Sequence, residues 1–376
     1  MQTNTKIVTE DQTIYLGIDY HKNTSTLCFK DQQGKTSRNQ TVKTSDLSEV
    51  LKCYSNLEIA IETTGGSNHM AEVLRVLGHQ VYLVNTNKAK AVGMNGQKTD
   101  DKDAEVLTDL LRSNFLPKVH LKSLVCREIK SILVQREFVV QSRVSMICHI
   151  RGILREYGIT IEAGVKFFYL NAGQSIARLE NKLIQKNLEI LLSQCLALKS
   201  EELRIDQEII EYVKTNNPEI FAKAERIEKI PGIGWTTALL MVSIIDDAKR
   251  FSDAHKFGAY LGLIPGQFSS GDQVRMGRIT RSGCEMLRRY LIHGARAVLK
   301  YAKMKKSKND IEAWSMRLVN KKGMNKATVA VAHKLARVYF ALVRDEKDFV
   351  RDYKKSTRKA VEVSALTDVS IKEKAS

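Results

Sequence analysis

Residues 13–21, TIYLGIDYH, decide how the N-terminal part of the chain is read. Ile14, Tyr15, Leu16 and Ile18 make a strand-like run, and Asp19 interrupts it. Aspartate is depleted from strand interiors, so its presence there calls for a reason beyond packing. Working outward, TSTLCFKD and KTSRNQTVKT supply two further strands that can pair with the first as a meander. SDLSEVLKCYS has a Ser/Asp start and helical spacing. LEIAIETTGG is a buried strand run ending in turn residues. NHMAEVLRVLGHQ is a helix closed by Gly78, and VYLVN is another strand. Strands first in a meander, then alternating with helices, predict a mixed α/β sheet covered by helices over residues 13–118.

Residues 98–107, KTDDKDAEVL, crowd carboxylates into a chain that is otherwise strongly basic. TDDKDAEVLTDLLRSNF reads as a helix capped near Thr99 or Asp100. Helix neighbours lie three and four apart, which groups Asp100 and Asp103 with Leu107, Leu110 and Leu111. Asp101, Glu105, Thr108 and Arg112 form the expected wet face. Carboxylates on a core-facing stripe are costly unless compensated, and metal ions compensate them. Asp100 also reads as a plain N-cap. Glu62 ends the apolar LEIAIE run. Asp19, Glu62, Asp100 and Asp103 can therefore converge, and four hard oxygen donors suit Mg²⁺ or Mn²⁺. Two such ions can clamp the attacking and leaving oxygens of a phosphodiester.

The bulk numbers agree with a polyanionic partner. Lys plus Arg number 60 against 42 Asp plus Glu in 376 residues, a formal +18. A surplus of that size favours nucleic acid. The six cysteines are scattered without a Cys-x-x-Cys pair, as expected for small buried hydrophobes in a reducing compartment. No apolar leader and no stretch of membrane-spanning length occurs, so the expectation is a cytoplasmic protein with no membrane partner.

Residues 119–216 contain one proline-free helical texture rich in Leu, Ile, Glu, Lys and Arg. VCREIKSILVQREFVVQSRVSMICHIRGILREYG reads as one helix stopped by Gly158, and the run from Ser175 to Lys214 as a second. Leu188, Leu192, Leu196 and Leu203 mark an apolar stripe. The pattern fits two long antiparallel helices, an intermolecular coiled coil or an ordinary bundle. Residues 226–345 are expected to form an all-helical C-terminal domain, and the polar stretch 354–376 a disordered tail.

Two motifs in that domain point to phosphate. IPGIG at 230–234 reads as the turn of a helix–hairpin–helix, with Gly232 and Gly234 permitting the turn and the next helix offering free amides. Ser269 and Ser270 lie in a Ser-Ser-Gly loop followed by Arg275, Arg278, Arg281, Arg288 and Arg289. Guanidinium groups at this density suit phosphate oxygens, and a serine among them could be a nucleophile. A flexible loop with basic nucleic-acid contacts and no chemistry is the competing reading. His293 could act as a base, but beside Ile292 it reads more readily as a packed histidine.

Taken in order, GIDYHK, IETTGG, KTDDKDA, IPGIGWTTA, YLGLIPGQFSSG, GRITRSGCEMLR, HGARAVL and AHKLARV resemble the DEDD-type insertion-sequence transposases, relatives of the pilin-gene invertase. The resemblance spans roughly residues 14–340. It implies a RuvC-like ribonuclease-H domain with Asp19, Glu62, Asp100 and Asp103 as a Mg²⁺-binding tetrad. It also implies a nucleophilic serine at Ser270, with Ser269 in reserve, and a coiled-coil linker. The family assembles as dimers and tetramers, the acidic site of one protomer facing the serine of another, and some members use a structured guide RNA. One departure is Thr99, where many relatives carry Asn. The expected activity is DNA recombination that moves a mobile element. The rival expectations are a metal-dependent, structure-specific nuclease and a non-enzymatic nucleic-acid-binding protein.

Overall fold

The meander forms one side of a mixed sheet. In the computed structural model, which describes residues 14–85, 88–89, 99–270, 273–304 and 310–349, β1 (Tyr15–Tyr20), β2 (Thr24–Lys30) and β3 (Thr36–Lys43) pair antiparallel in sequence order. The parallel strands β4 (Glu58–Glu62) and β5 (Gln80–Val84) extend the sheet from β1, and the short β6 (Lys118–Val119) closes it. The order is β3-β2-β1-β4-β5-β6. Helices α1 (Leu47–Leu51), α2 (Ser67–Val76) and α3 (Asp100–Arg112) accompany the sheet. Gly78 ends α2 at φ +92, the left-handed conformation for which glycine is suited.

Strand alternation splits the core in two. Leu16, Ile18, Ile59 and Ile61 point to one face and pack with Leu51 and Leu74. Ala60 and Val84 point to the other and pack with Leu107, Leu110 and Leu111 of α3. Leu107 is 1% exposed; truncating a side chain so enclosed costs about 2–5 kcal/mol.

The chain divides after Leu121, and the second unit begins at Lys122. Helix α4 (Leu124–Glu156) ends just before Gly158, as the sequence predicts. The second long run does not form one helix. It breaks into α5 (Val165–Ala177) and α6 (Lys182–Asn216). Leu179 turns inward at 3% exposure, and the Asn181 side chain accepts from the amides of Leu183 and Ile184 at 3.0 and 3.2 Å, so a buried anchor and a cap restart the helix. Helices α4 and α6 lie antiparallel within the chain, since Glu128 meets Tyr212 while Arg143 meets Glu202. Leu188 is buried, but Leu196 and Leu203 are exposed, so only part of the leucine stripe faces α4.

The remaining helices are α7 (Pro218–Glu228), α8 (Trp235–Ile245), α9 (Ala254–Tyr260), α10 (Glu285–Met304), α11 (Asp310–Lys322) and α12 (Met324–Arg344). Their core includes Leu239, Leu291, Leu335 and Tyr339, and also Ile129 and Leu133 of α4 and Val213 of α6. This part of the chain is not all-helical. β7 (Pro265–Ser270) and β8 (Gln273–Ile279) form an antiparallel hairpin where a polar loop was expected. Phe268, Val274, Met276 and Ile279 supply β-forming residues on short strands, and they outweigh the Ser/Gly signal. No helix among the described residues is long and apolar enough to cross a membrane. Cys28, Cys126 and Cys195 are buried as expected, but Cys53 and Cys148 are exposed. Residues 354–376, read as a tail, lie outside the described residues.

Candidate metal centre

The local fold brings the first acid to the third and fourth through a missing side chain. Gly17 and Asp19 are two apart on β1 and share the face toward α3. A β-carbon on Gly17 would stand 2.2 Å from the Ala104 carbonyl oxygen and 2.5 Å from Thr108 Oγ1. Glycine thus lets α3 lie directly on β1, with its N-terminal turn beside Asp19. Thr99 caps that turn, its side chain accepting from the Lys102 amide at 3.4 Å.

Asp19 is 3% exposed. Its carboxylate Oδ2 lies 3.1 Å from Nε2 of His21, which follows the last residue of β1 in the turn to β2 and is half exposed. One ligand atom each from Asp19, His21 and Asp100 lies within 4.8 Å of the others. Burial pushes the Asp19 carboxyl above the usual carboxylate value; His21 opposes the shift, and the negative charges of Asp100 and Asp103 add to it. Asp103 is half-buried one turn along α3. Glu62 ends β4 one residue past the Ile18–Ile61 pair, which places it next to Asp19 across the parallel register, and it is 9% exposed. Among the described residues the ligand atoms that meet are those of Asp19, His21 and Asp100, while Glu62 and Asp103 are not part of that group. Two carboxylates and an imidazole, partly desolvated, fit a divalent cation.

Two features of α3 differ from the sequence expectation. Thr108, assigned to the wet face, is fully buried; its hydroxyl donates to the Ala104 and Cys28 carbonyls at 2.8 and 3.1 Å. Glu105 and Asp109 flank it and receive the buried Lys30 ammonium at 3.0 and 2.8 Å. Burial alone would lower the Lys30 value, but the two carboxylates outweigh it and hold the lysine above its ordinary range. Asp100 is exposed, so the apolar stripe begins with Asp103. His21 was not singled out from the sequence; it lies just past the end of β1, and its meeting with Asp19 depends on the turn into β2.

The serine and arginine cluster belongs to the second unit. Ser269 and Ser270 end β7, their backbones paired with Val274 and Gln273; Gly271 lies outside the described residues. Arg275, Arg278 and Arg281 are exposed on or just after β8. Arg288 is not. It is 7% exposed and donates to the Ser282 and Leu261 carbonyls at 2.8 and 3.4 Å, which makes it an internal brace. Arg289 is half-buried and pairs with Glu137, which also receives the Tyr290 hydroxyl at 2.5 Å. His293 is exposed, not packed. It lines a groove of about 790 Å³ together with Arg136, Thr236, Thr237 and Arg289.

The IPGIG turn joins α7 to α8. Gly232 has φ +83, and Gly234 is the N-cap of α8. A β-carbon on Gly232 would meet the Gly294 carbonyl oxygen at 2.5 Å, and one on Gly294 the Gly232 oxygen at 2.0 Å. The first glycine is thus committed to close packing on α10.

Residues 16–159 match a family model for DEDD transposases of the IS110 type, and residues 224–310 match the Transposase IS116/IS110/IS902 family. The chain is 30% identical over 338 residues to the transposase for insertion sequence element IS1111A of Coxiella burnetii, covering 89% of this chain and 90% of that one. It is 26% identical to a probable family 20 transposase of Pseudomonas aeruginosa over 88% of this chain and 97% of the relative. It is 24% identical to the pilin gene-inverting protein of Moraxella lacunata over 89% and 97%.

Proposed function

Because the chain belongs to the IS110/IS116 family of DEDD transposases, enzymes that bind, cut and rejoin DNA, we propose that Asp19, Glu62, Asp100 and Asp103 form its ion-holding tetrad. The proximity of Asp19, His21 and Asp100 on a β1–α3 platform carries this reading. Divalent metal follows from the family, and Mg²⁺ or Mn²⁺ from the oxygen donors. The bound ions would polarise the scissile phosphate and neutralise developing charge. The mixed sheet with its antiparallel meander supports a RuvC-like domain over 13–118. The same reading keeps a helical coiled-coil region at 119–216 and a catalytic helix–hairpin–helix domain at 226–345.

The second half of the reaction falls to a serine. Ser270, or Ser269 in its place, attacks phosphorus through its hydroxyl oxygen and gives up its proton. A serine–phosphate ester forms, the bond from phosphorus to the leaving sugar oxygen breaks, and that oxygen takes up a proton. The exposed Arg278 and Arg281 would steady the phosphate. Membership supports assembly of dimers and tetramers and, as in some relatives, a structured guide RNA beside the DNA.

The test uses the chain with end-labelled DNA from its own element. The wild type is expected to hold label through a denaturing gel in Mg²⁺. Ser270→Ala abolishes the adduct if Ser270 is the nucleophile, and Ser269→Ala if it is the reserve. Cutting that persists in the double variant would leave a plain metal-dependent nuclease. Asp19→Asn should abolish both cutting and adduct. Activity unchanged in that variant would remove the tetrad.

A further inference from the structure

Hairpin β7–β8 carries two large apolar side chains that the other described residues leave largely exposed. Phe268 is 73% exposed and Met276 is 60% exposed. Phe268 pairs with Arg275 and Gln267 with Met276, so the two apolar side chains leave the ribbon on opposite faces. The sheet has only these two strands among the described residues. A hairpin of this kind gains little by itself and normally hides its apolar face against a third layer.

One edge of the Phe268 ring lies over two glycines of the ribbon. A β-carbon at Gly277 would meet Cε2 of the ring at 3.0 Å and Cδ2 at 3.5 Å, and one at Gly266 would meet Cε2 at 3.8 Å. Two glycines therefore make a floor for one edge of the ring and leave the rest open. Around it the charge is positive: from Pro265 to Arg281 three arginines stand against one aspartate. Arg275 is directly opposite Phe268 across the ribbon. An open aromatic face beside guanidinium groups is the arrangement on which unpaired bases stack while their phosphates are neutralised. A protein partner would be matched less well, because the exposed cations would need their own acids at the same spacing.

We infer that the hairpin is a stacking platform for an unpaired DNA base, with the Phe268 ring as the platform and Arg275 as the partner of the adjoining phosphate. A transposase needs such a platform, because strands that are cut and exchanged leave bases without their partners. The test is independent of which serine attacks, because it reads binding and not cutting.

The experiment uses the full chain and two fluorescein-labelled DNA duplexes of arbitrary sequence, one fully paired and one with a central bubble of unpaired thymines. Phe268→Ala is expected to weaken binding to the bubble about tenfold, the scale of one base on one ring, and binding to the paired duplex by less than about twofold. Phe268→Trp restores the preference. Phe268→Leu, which keeps an apolar contact with the glycine floor and so guards against a folding defect, does not. A 2-aminopurine in the bubble should change its emission with the wild type and stay unchanged with Phe268→Ala. Equal losses on both duplexes, or an unaltered 2-aminopurine response, would overturn the platform. So would a defect seen only with an RNA bubble, or a Phe268→Ala variant that loses self-association while its DNA response is intact.

Discussion

Gly17 and Ala104 fix the distance between strand and helix in the candidate metal centre. The Ala104 carbonyl occupies the position where a Gly17 side chain would begin, 2.2 Å from the ideal β-carbon. Gly17→Ala must therefore push α3 away or twist β1. We expect a loss of about 1–3 kcal/mol in unfolding free energy, together with weaker Mn²⁺ binding in an electron paramagnetic resonance titration. A variant that melts like the wild type would show that the close approach is not required.

Asp19 titrates above the ordinary carboxylate value because burial disfavours its charge. Without divalent ions, its contribution to stability is present below the ordinary value and is lost as pH rises through the raised one. Asp19→Asn should accordingly raise the melting temperature at neutral pH in chelator and remove the further rise that Mg²⁺ gives the wild type. Thermal melts in chelator and in Mg²⁺ decide it. A lower melting temperature for the variant in chelator would contradict the electrostatic account.

Lys122 presents the opposite case. Burial, with the Lys130 and Arg250 charges nearby, pulls its ammonium down to about 8. Stability from its neutral form is present above the ordinary lysine value and is lost as pH falls through about 8. Lys122→Met is expected to stabilise the protein by about 1–3 kcal/mol at neutral pH. The gain should shrink towards pH 10. Denaturant titrations at both pH values measure the difference, and a pH-independent gain would assign the effect to packing alone.

Arg136 joins α4 to α6 through Asp206 at 2.5 Å and Glu202 at 3.2 Å, with only 13% of its side chain exposed. Arg136→Ala leaves two partly enclosed carboxylates without this partner. The expected cost is about 2–4 kcal/mol, below the full penalty for a dry interior because water still reaches Asp206. Adding Asp206→Ala to that variant should recover part of the loss. No recovery in the double-mutant cycle would mean the two residues act independently.

Much of the first unit was legible because its signals are local. The strand runs, Gly78 and the Thr99 cap each act within a few residues of themselves. Asp19 stood out because a strand tolerates it poorly. The Thr108 assignment failed for a different reason. A threonine that bonds its own helix at Ala104 and a strand carbonyl at Cys28 looks polar in sequence and is buried in three dimensions. Spacing alone does not contain the second partner, 80 residues away in sequence. Arg288 misled in the same way, since its partners are the carbonyls of Leu261 and Ser282. The break before Asn181 was visible only as a cap signal inside a pattern that otherwise favours helix throughout. In the hairpin, short strands on either side of Gly271 were masked by a serine–glycine cluster that is typical of loops.

Lys30 has a consequence for the spin of α3 about its own axis. Its ammonium grips Glu105 and Asp109, one turn apart on that helix. Turning the helix by a single residue would swing both acids off the lysine and carry Asp103 round with them. The lysine thus works as a key in a keyway: it sets the azimuth at which the front carboxylates emerge, from a position well behind them.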